Sequence, residues 1–390
     1  MEKIASGLTE KERIRIEKLM ENGLAVNKET GLAYYTGYAN TTLYDWDQYF
    51  EGIVQLYMGQ DTVRMRNAVL VYLAFQQEDG FTKRAIQNGY SGEEDFEMVK
   101  PFLSQITLLC LRHDGHLDWL EEENYRKLQR SLDYWLYARD PDKNNLSYWR
   151  SSVETGMDDQ HERAGVWRSD YCEGVDLNCH LYRECLALAQ ICTFRGDTKR
   201  AEKYQRIAKT RKTAVLSMWD EEDSYFYDRD MRSGEAIRVK SISGLLPLWA
   251  GIADHEQAGR LVEQHILNTE EFWRPYPLPA LAASEPGYSP VHLDGDIGCN
   301  WRADTWVPTN YMVMHGLMAY GYPDIALTIA VKTRELIDKS GDREYYITET
   351  GEGTGLNPFW GWSLLGYFMA EECRSGYNPM EIYYDHFIVI

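Results

Sequence analysis

The sequence predicts an all-α protein, specifically an (α/α)6 barrel in which six inner and six outer helices close into a toroid. Apolar residues recur with the helical period from end to end, in about twelve separate runs. Alternating runs of β-branched residues, which would indicate strands, are few. The helical runs arrive in successive pairs, as stacked helical hairpins do. A tandem helical solenoid is the architectural alternative.

Helix start signals support the first of these runs. Thr9 and Glu12 have the spacing of a capping box, and Asp61 is placed to cap a helix over 62–77. The remaining periodic runs are predicted over 42–58, 101–112, 121–138, 175–194, 198–219, 241–250, 255–267, 307–320, 323–340 and 359–373. The last ten residues, EIYYDHFIVI, have β-propensity and are predicted to form an edge strand.

Long loops rich in Gly, Asp, Asn and aromatic residues separate the helices. They are predicted at 33–41, 80–99, 148–167, 273–305 and 341–358. Loops of this length in a compact protein are usually functional. No Pro- or Ser-rich linker divides the chain, so residues 1–390 are predicted to form a single domain.

The charge balance excludes two classes of partner. The chain has 61 acidic and 41 basic residues, a formal net charge of -20. Such a field repels nucleic acid and anionic lipid surfaces, so we expect neither as a partner. The first residues are charged where a secretory signal needs an apolar run, and no apolar stretch of membrane-spanning length follows. These features predict a soluble, cytoplasmic protein.

The seven cysteines are too sparse for a disulfide framework. Cys172, Cys179, Cys185 and Cys192 are spaced by seven, six and seven residues, which is typical of a packed helix face rather than of zinc ligands. His113 and His116 flank Gly115, which indicates a turn. We therefore expect no metal and no cofactor.

Aromatic residues make up 13% of the chain, with 12 Trp and 28 Tyr. Such rings present flat apolar faces that stack on sugars, while their polar tips hydrogen-bond hydroxyl groups. Carbohydrate is therefore the favoured ligand class.

Four predicted loop segments combine Trp with carboxylates, at 44–50, 148–159, 301–306 and 344–363. Cleavage of a glycosidic bond needs one carboxylic acid to protonate the leaving oxygen, and one carboxylate to activate water or attack carbon. The chain supplies both kinds of group in these loops.

Five motifs occur in a fixed order along the chain. They are YDWD at 44–47, ETGMD at 154–158, VDLN at 175–178, NWRADTWVPTNY at 300–311, and EYYITETGEG at 344–353 with FWGWS behind it. In this order the chain resembles glycoside hydrolase family 63, especially its compact bacterial mannosylglycerate and glucosylglycerate hydrolases. More distantly it resembles the family 37 trehalases.

This resemblance implies an inverting α-glycoside hydrolase, either α-glucosidase-like or α-mannosidase-like, that acts on a small glycoside or oligosaccharide. By motif position, Asp158 is the general acid, with Asp159 as its nearest rival. Glu344 is the general base, and Glu349 and Glu352 remain candidates because they share its loop.

The same resemblance implies a set of sugar-binding residues. Arg302 either binds a carboxylate on the aglycone or orients the catalytic acid. Trp360 and Trp362 are either stacking platforms or core residues, and Asp47 either accepts sugar hydroxyls or starts a helix. Asp176 and Asn178 are expected to support the acid loop. The full set of expected substrate-binding residues is Tyr44, Trp46, Asp47, Gln105, Trp301, Arg302, Asp304, Trp306, Glu352, Trp360 and Trp362.

Three departures from the family pattern put the aglycone specificity in doubt rather than the reaction. They are Asp159-Gln160 in place of Asn-Ser, Lys100-Pro101 in place of Gln-Pro-Pro, and Ala303-Asp304 in place of Gly-Pro. The identity of the sugar and of the aglycone stays open, as does a homo-oligomeric state.

Two other functions remain as alternatives. Sugar epimerases also use helical barrels, and their acid-base chemistry rests on histidines; His161 and His292 are the closest histidines to the motifs. A carbohydrate-binding protein without catalysis is the second alternative, which the intact acid and base motifs make less favoured.

Overall fold

The computed structural model describes residues 2–87, 96–290 and 299–382. The described chain is mostly helical, as predicted. It divides into two compact units, each assembled from separate stretches of sequence. Unit 1 comprises Met1–Ser147, His180–Thr213 and Asn378–Ile390; unit 2 comprises Tyr148–Cys179 and Ala214–Tyr377.

Unit 1 contains most of the N-terminal elements. Its helices are α1 (Glu2–Ala5), α2 (Glu10–Asn22), α3 (Asp47–Tyr57), α4 (Val63–Ala74), α5 (Leu103–Asp114) and α6 (Glu122–Asp133), which continues as a π-helical turn over Tyr134–Ala138. Its strands form two antiparallel pairs, β1 (Leu24–Val26) with β2 (Ala33–Tyr35), and β3 (Leu43–Tyr44) with β4 (Ala85–Ile86). Two further helices, α9 (Val175–Phe194) and α10 (Thr198–Leu216), contain residues of both units.

Unit 2 contains the remaining elements, among them 3₁₀ helices over Ile242–Leu245 and Trp362–Tyr367 and a π-helical turn over Val262–Ile266. Its helices are α7 (Ser152–Thr155), α8 (His161–Ala164), α11 (Leu246–Ala250), α12 (His255–Leu261), α13 (Val307–Ala319), α14 (Pro323–Ser340) and α15 (Met369–Ser375). Its strands are β5 (Cys172–Glu173), β6 (Trp219–Asp220), β7 (Tyr225–Phe226), β8 (Asp228–Asp230), β9 (Ala236–Ile237), β10 (Tyr345–Tyr346) and β11 (Gly353–Thr354). They pair as β5-β8-β9, β6-β7 and β10-β11, all antiparallel.

Several predicted helix boundaries are confirmed. At the start of α2 the Thr9 N–H donates to Oε2 of Glu12 at 2.7 Å, and the Glu12 N–H donates back to Oγ1 of Thr9, which completes the capping box. Asp61 accepts from the first N–H of α4 at 3.0 Å, but the N-cap is Thr62 and the helix ends at Ala74 instead of the predicted residue 77. Helices α9 and α14 have the predicted bounds, and Gly115 ends α5 in the left-handed conformation.

Other predicted runs differ from the structure at their ends. The run at 42–58 begins as strand β3, which pairs with β4, and turns helical only at Asp47. The predicted loop at 148–167 contains the single turns α7 and α8. The strands are two or three residues long, so no alternating pattern could develop in the sequence to reveal them.

Helix α13 lies in the core of unit 2 and packs against α11 and α14. Nearly all its residues are buried, so it lacks the polar face of a surface helix. Gly316 permits the close approach of α11, because a Cβ there would lie 2.7 Å from the backbone nitrogen of Trp249.

The cysteines behave as predicted for a packed helix face. Cys179, Cys185 and Cys192 lie on α9, and all three are buried and outside any disulfide. The predicted C-terminal edge strand falls mostly on 383–390, outside the described residues. Within the described ranges no helix is both long and apolar enough to cross a membrane.

We expect Gly316→Ala to lower the free energy of unfolding by about 1–3 kcal/mol, because the added methyl group would collide with the α11 backbone. The matched control is Gly259→Ala in α12, where the nearest atom to the new Cβ is the Tyr322 hydroxyl at 3.5 Å. We expect this control to be neutral or stabilising by up to about 1 kcal/mol. Urea denaturation measures both, and equal stabilities would contradict the packing argument.

Candidate active site

The segment that carries the predicted acid is a tight turn after α7. Gly156 ends this helix with a φ of 80°, a left-handed conformation that favours glycine. The Ser152 hydroxyl donates to the backbone carbonyl of Asp158 at 2.6 Å and fixes the path of the turn. Asp158 lies at the end of this turn; the residue is half-buried, and Oδ1 of its carboxyl group is buried.

The two residues after Asp158 attach the turn to the segment 300–302. Asp159 accepts from the Trp301 N–H at 2.8 Å and from Nε of Arg302 at 3.1 Å. The Gln160 side-chain amide donates to the Trp301 carbonyl at 2.7 Å and to the Ala280 carbonyl at 3.0 Å. Burial raises the pKa of Asp159, while the hydrogen bonds that it accepts from Trp301 and Arg302 oppose the rise. Because both its oxygens are engaged, Asp159 suits a structural role better than proton donation.

A buried ion cluster lies beneath the acid turn. Arg163 of α8 is fully buried and contacts both Asp176, at 2.5 Å, and Asp228. Asp176 also accepts from Nε1 of Trp149 at 2.9 Å. Burial raises the pKa of Asp228 whereas the Arg163 guanidinium lowers it. Asp176 therefore contacts Arg163 of α8, the helix that follows the acid turn, and this contact is compatible with the expected role of supporting the turn.

Glu344 directly precedes β10, and its side chain is only 7% exposed. Oε2 accepts from the Leu356 N–H at 2.9 Å. Gly355 makes this possible, because a Cβ there would lie 2.6 Å from Oε2. The Trp362 indole donates to the Glu344 carbonyl at 2.7 Å and holds the backbone as well. The orientation of this carboxylate is thus fixed by the fold.

The pKa of Glu344 depends on burial and on the charge of Asp158. Burial is the largest cause that raises the pKa of Glu344, and the negative charge of Asp158 raises it further. The Leu356 N–H and the Cys299 thiol, 3.8 Å from Oε1, act in the opposite direction. The two carboxyl groups therefore interact electrostatically, with the charge of Asp158 acting on Glu344.

The other two glutamates of the loop have different surroundings. Glu349 forms a two-pronged ion pair with Arg274, at 2.8 and 3.1 Å, and accepts from the Tyr288 hydroxyl at 2.7 Å. These partners lower its pKa, against the effect of burial. Glu352 is exposed next to β11. Of the three, Glu344 alone combines burial with the influence of Asp158, although a sugar contact by Glu352 stays a prediction.

The tryptophans of this region form a buried stack. Trp301 lies parallel to Trp306 with ring centroids 3.8 Å apart, and Trp306 lies parallel to Tyr345 at 4.3 Å. Trp362 packs against Trp306 at 5.9 Å. All four rings are at least 95% buried, which favours the packing role over that of an exposed platform. The stack joins the acid-side segment to the strand next to the base.

The remaining predicted residues of unit 2 differ in exposure. Arg302 has a side chain 32% exposed, and Asp159 is its ion-pair partner at 3.1 Å. Asp304 is fully buried, and Trp360 is 4% exposed. Arg302 is therefore the predicted aglycone contact whose charged group stays accessible to a ligand.

Four predicted substrate-binding residues lie in unit 1. Asp47 begins α3 and is 2% exposed, and burial together with the charge of Asp45 raises its pKa to about 8. Lys100 forms a buried ion pair with Asp45 at 3.2 Å and lies 4.9 Å from the ring centre of Trp46. The unusual lysine thus neutralises a buried carboxylate next to two of the expected sugar contacts.

The other two residues of this group are Tyr44 and Gln105. Tyr44 lies on β3 with Arg84 above its ring at 5.5 Å. Gln105 is buried, donates to the Pro101 carbonyl at 2.9 Å and accepts from Nε of Arg183 at 3.3 Å. Both ends of the Gln105 amide therefore bond within the protein.

Sequence reasoning missed two residues of the unit 2 site. Cys299 precedes the Asn300-Trp301 motif, and its position beside a motif was the available signal. Arg163 fell in a predicted loop, and nothing in the sequence paired it with Asp228. Of the histidines, His161 is exposed and its ring lies 3.0 Å from the Ser152 hydroxyl, while His292 is outside the described residues.

Within the described ranges, no three His, Cys, Asp or Glu side chains converge as a metal site would need. The donor set around Asp158 and Glu344 is one of carboxylates, aromatic rings and backbone amides. Such a set suits proton transfer to and from a ligand.

Comparisons with known proteins agree with this chemistry. The family model described as the mannosylglycerate hydrolase MGH1-like glycoside hydrolase domain matches residues 41–363. A mannosylglycerate hydrolase of Thermus thermophilus is 33% identical over 147 residues, 38% of this chain and 33% of that protein. A periplasmic trehalase of Citrobacter koseri is 23% identical over 74% of this chain and 50% of its own length. The chain thus aligns with half or less of these relatives' length.

Solved structures show the same fold. The crystal structure of the GH63 mannosylglycerate hydrolase from Thermus thermophilus in complex with glucose has a TM-score of 0.73 at 20% identity, and covers 91% of this chain and 99% of that one. The neutral trehalase of Saccharomyces cerevisiae has a TM-score of 0.65 at 18% identity, and covers 92% and 79%.

We expect Asp158→Asn to lower the pKa of Glu344, because the substitution removes the negative charge that raises it. Carbon-13 NMR of glutamate-labelled protein measures this pKa, with Glu344→Gln to assign the signal. Glu349, whose pKa is set by Arg274 and Tyr288, serves as the reference and should not shift. An unchanged Glu344 pKa would show that the two carboxyl groups do not interact.

Proposed function

The chain belongs to the mannosylglycerate hydrolase MGH1-like glycoside hydrolase family, and on this premise we propose that it is an inverting α-glycoside hydrolase. Asp158 is the general acid and Glu344 the general base. The observation that carries this proposal is the buried carboxylate of Glu344, held by the Leu356 N–H at the base position of a family that the chain matches over residues 41–363, with the charge of Asp158 acting on it.

Asp158 protonates the glycosidic oxygen as the bond to the anomeric carbon breaks. This transfer keeps the leaving group from departing as an alkoxide, which is the costly alternative. The hydrogen bond from Ser152 to the Asp158 carbonyl holds the turn, and the Asp159 and Gln160 bonds fix it against 300–302. The acid therefore meets the substrate from a rigid support.

Glu344 takes a proton from the water molecule that attacks the anomeric carbon from the opposite face. Carboxyl groups of inverting enzymes stand about 6.5–9.5 Å apart, which leaves room for this water. One carboxyl group must be protonated while the other is ionised. When Asp158 holds its proton, the charge that raises the pKa of Glu344 is absent, and Glu344 ionises more readily.

The substrate is a small α-glycoside or oligosaccharide with glucose or mannose as the released sugar. We propose that the aglycone is anionic, as in the glycerate conjugates named for the relatives. Arg302 supports the proposal of an anionic aglycone, because its side chain is partly exposed and donates to Asp159 through Nε. A guanidinium in that position is suited to a carboxylate.

Three further proposals rest on the resemblance. The helices close into the (α/α)6 barrel as a single domain, the protein works in the cytoplasm, and Tyr44, Trp46, Asp47 and Gln105 take part in sugar binding. The buried carboxyl of Asp47, with its pKa raised to about 8, would then be protonated at neutral pH and donate to a sugar hydroxyl.

The direct test of the function is a screen of α-glucosides and α-mannosides, including glycerate conjugates, trehalose, kojibiose and sucrose. We expect hydrolysis of at least one of them, with proton NMR showing the β-anomer as the first sugar released. A first product with the α-configuration would contradict inversion. Sugar interconversion without hydrolysis would support the epimerase alternative.

Asp158→Asn and Glu344→Gln accompany this screen. Each should lower kcat by about 10²–10⁴-fold, because general acid and general base assistance contribute that much to the rate. Glu349→Gln is the matched control from the same loop, and its kcat should remain well above that of Glu344→Gln. Activity that survives both main substitutions would overturn the site assignment.

The role of Arg302 is tested with two substrates that differ in aglycone charge, an α-glycosylglycerate and the methyl α-glycoside of the same sugar. We expect Arg302→Met to raise KM for the anionic substrate about 10–100-fold more than for the neutral one, as loss of a charged hydrogen bond would. Arg274→Met, also partly exposed and paired with a glutamate, is the control. An equal change for both substrates would mean that Arg302 only holds Asp159.

A further inference from the structure

Cys299 lies beside the carboxylate that is proposed as the base. Its Sγ is 3.8 Å from Oε1 of Glu344, within the reach of a thiol donor, while the Leu356 N–H holds Oε2 at 2.9 Å. We infer that Cys299 is a positioning residue for Glu344, whose thiol orients Oε1 toward the attacking water. This inference rests on the proposed function.

The contact has a chemical consequence for the base. A donor to an ionised carboxylate favours the ionised form, so the thiol opposes the rise in pKa that burial and Asp158 impose on Glu344. A thiol is a weaker donor than a hydroxyl or an amide. It therefore orients Oε1 and still leaves this oxygen basic enough to accept a proton from water.

Cys299 also differs from the other cysteines in its accessibility. It is partly exposed, whereas the other six are buried. Burial raises the pKa of Cys185 and of Cys373 to about 12, and that of Cys192 to about 11. Since the thiolate is the reactive form, these buried groups resist alkylation at neutral pH. A thiol reagent should therefore reach Cys299 first and obstruct the space next to Glu344.

The test compares Cys299→Ala with Cys299→Ser across the pH profile of kcat/KM. We expect the alanine variant to move the acidic limb of the profile upward by about half a pH unit to one unit, since a lost hydrogen bond destabilises the carboxylate. The serine variant keeps a donor, and a hydroxyl donates more strongly than a thiol, so the limb should return to the wild-type position or below it. An unmoved limb in Cys299→Ala, or a serine variant that matches alanine, would overturn the inference.

Alkylation provides a second readout. Iodoacetamide should inactivate the wild type, with protection by the released sugar, and Cys373→Ser should be inactivated at the same rate. Cys299→Ala should resist the reagent. Inactivation of Cys299→Ala at the wild-type rate would contradict the placement of this thiol beside the base.

A third readout separates this inference from the function on which it rests. The pKa of Glu344, titrated by carbon-13 NMR, should rise in Cys299→Ala and return toward the wild-type value in Cys299→Ser, whether or not any glycoside is hydrolysed. A pKa that does not move would refute the coupling. A pKa that moves in a protein with no hydrolytic activity would refute the proposed function and leave the contact established.

Discussion

The negative charge of Asp158 acts on Glu344, and the surrounding structure of unit 2 keeps the two carboxyl groups in that relation. Glu344 is buried to 7% exposure, a position that by itself disfavours its charge. The Leu356 amide and the Cys299 thiol partly offset this cost at the two carboxylate oxygens. The pKa of Glu344 therefore depends on the charge of Asp158 as well as on burial, an arrangement suited to the acid and base roles proposed for the two groups.

Several residues around this pair hold the geometry of the site through contacts within the protein. Asp159 and Gln160 tie the acid turn to 300–302, and the stack of Trp301, Trp306 and Tyr345 continues from there to the strand that follows the base. The Gln160 bond and the ring stack are buried and the Asp159 bond is part-buried, so we expect a change at one end to alter the geometry at the other. The aromatic richness that first suggested carbohydrate binding is used here largely as scaffold.

Sequence periodicity was sufficient for the long helices, and α14 has its predicted bounds because its apolar spacing and its initial Pro323 agree. Motif order singled out Asp158 as the acid and placed Glu344 first among three glutamates as the base, and these two roles stay predictions. The surroundings of the other site residues depend on partners that are distant in the sequence. Local pattern does not pair Arg163 with Asp228, and it does not reveal that Glu349 is neutralised by Arg274. Choosing the base among three glutamates on physical grounds therefore required the structure.

The division of labour between the two carboxyl groups is tested most directly with an α-glycosyl fluoride. Fluoride leaves without protonation, so such a substrate needs a base to activate water but needs no general acid. Turnover of the fluoride by Asp158→Asn should stay within about tenfold of the wild type, while Glu344→Gln should lose about 10²-fold or more. Equal losses in the two variants, or a larger loss in Asp158→Asn, would contradict the assignment of acid and base.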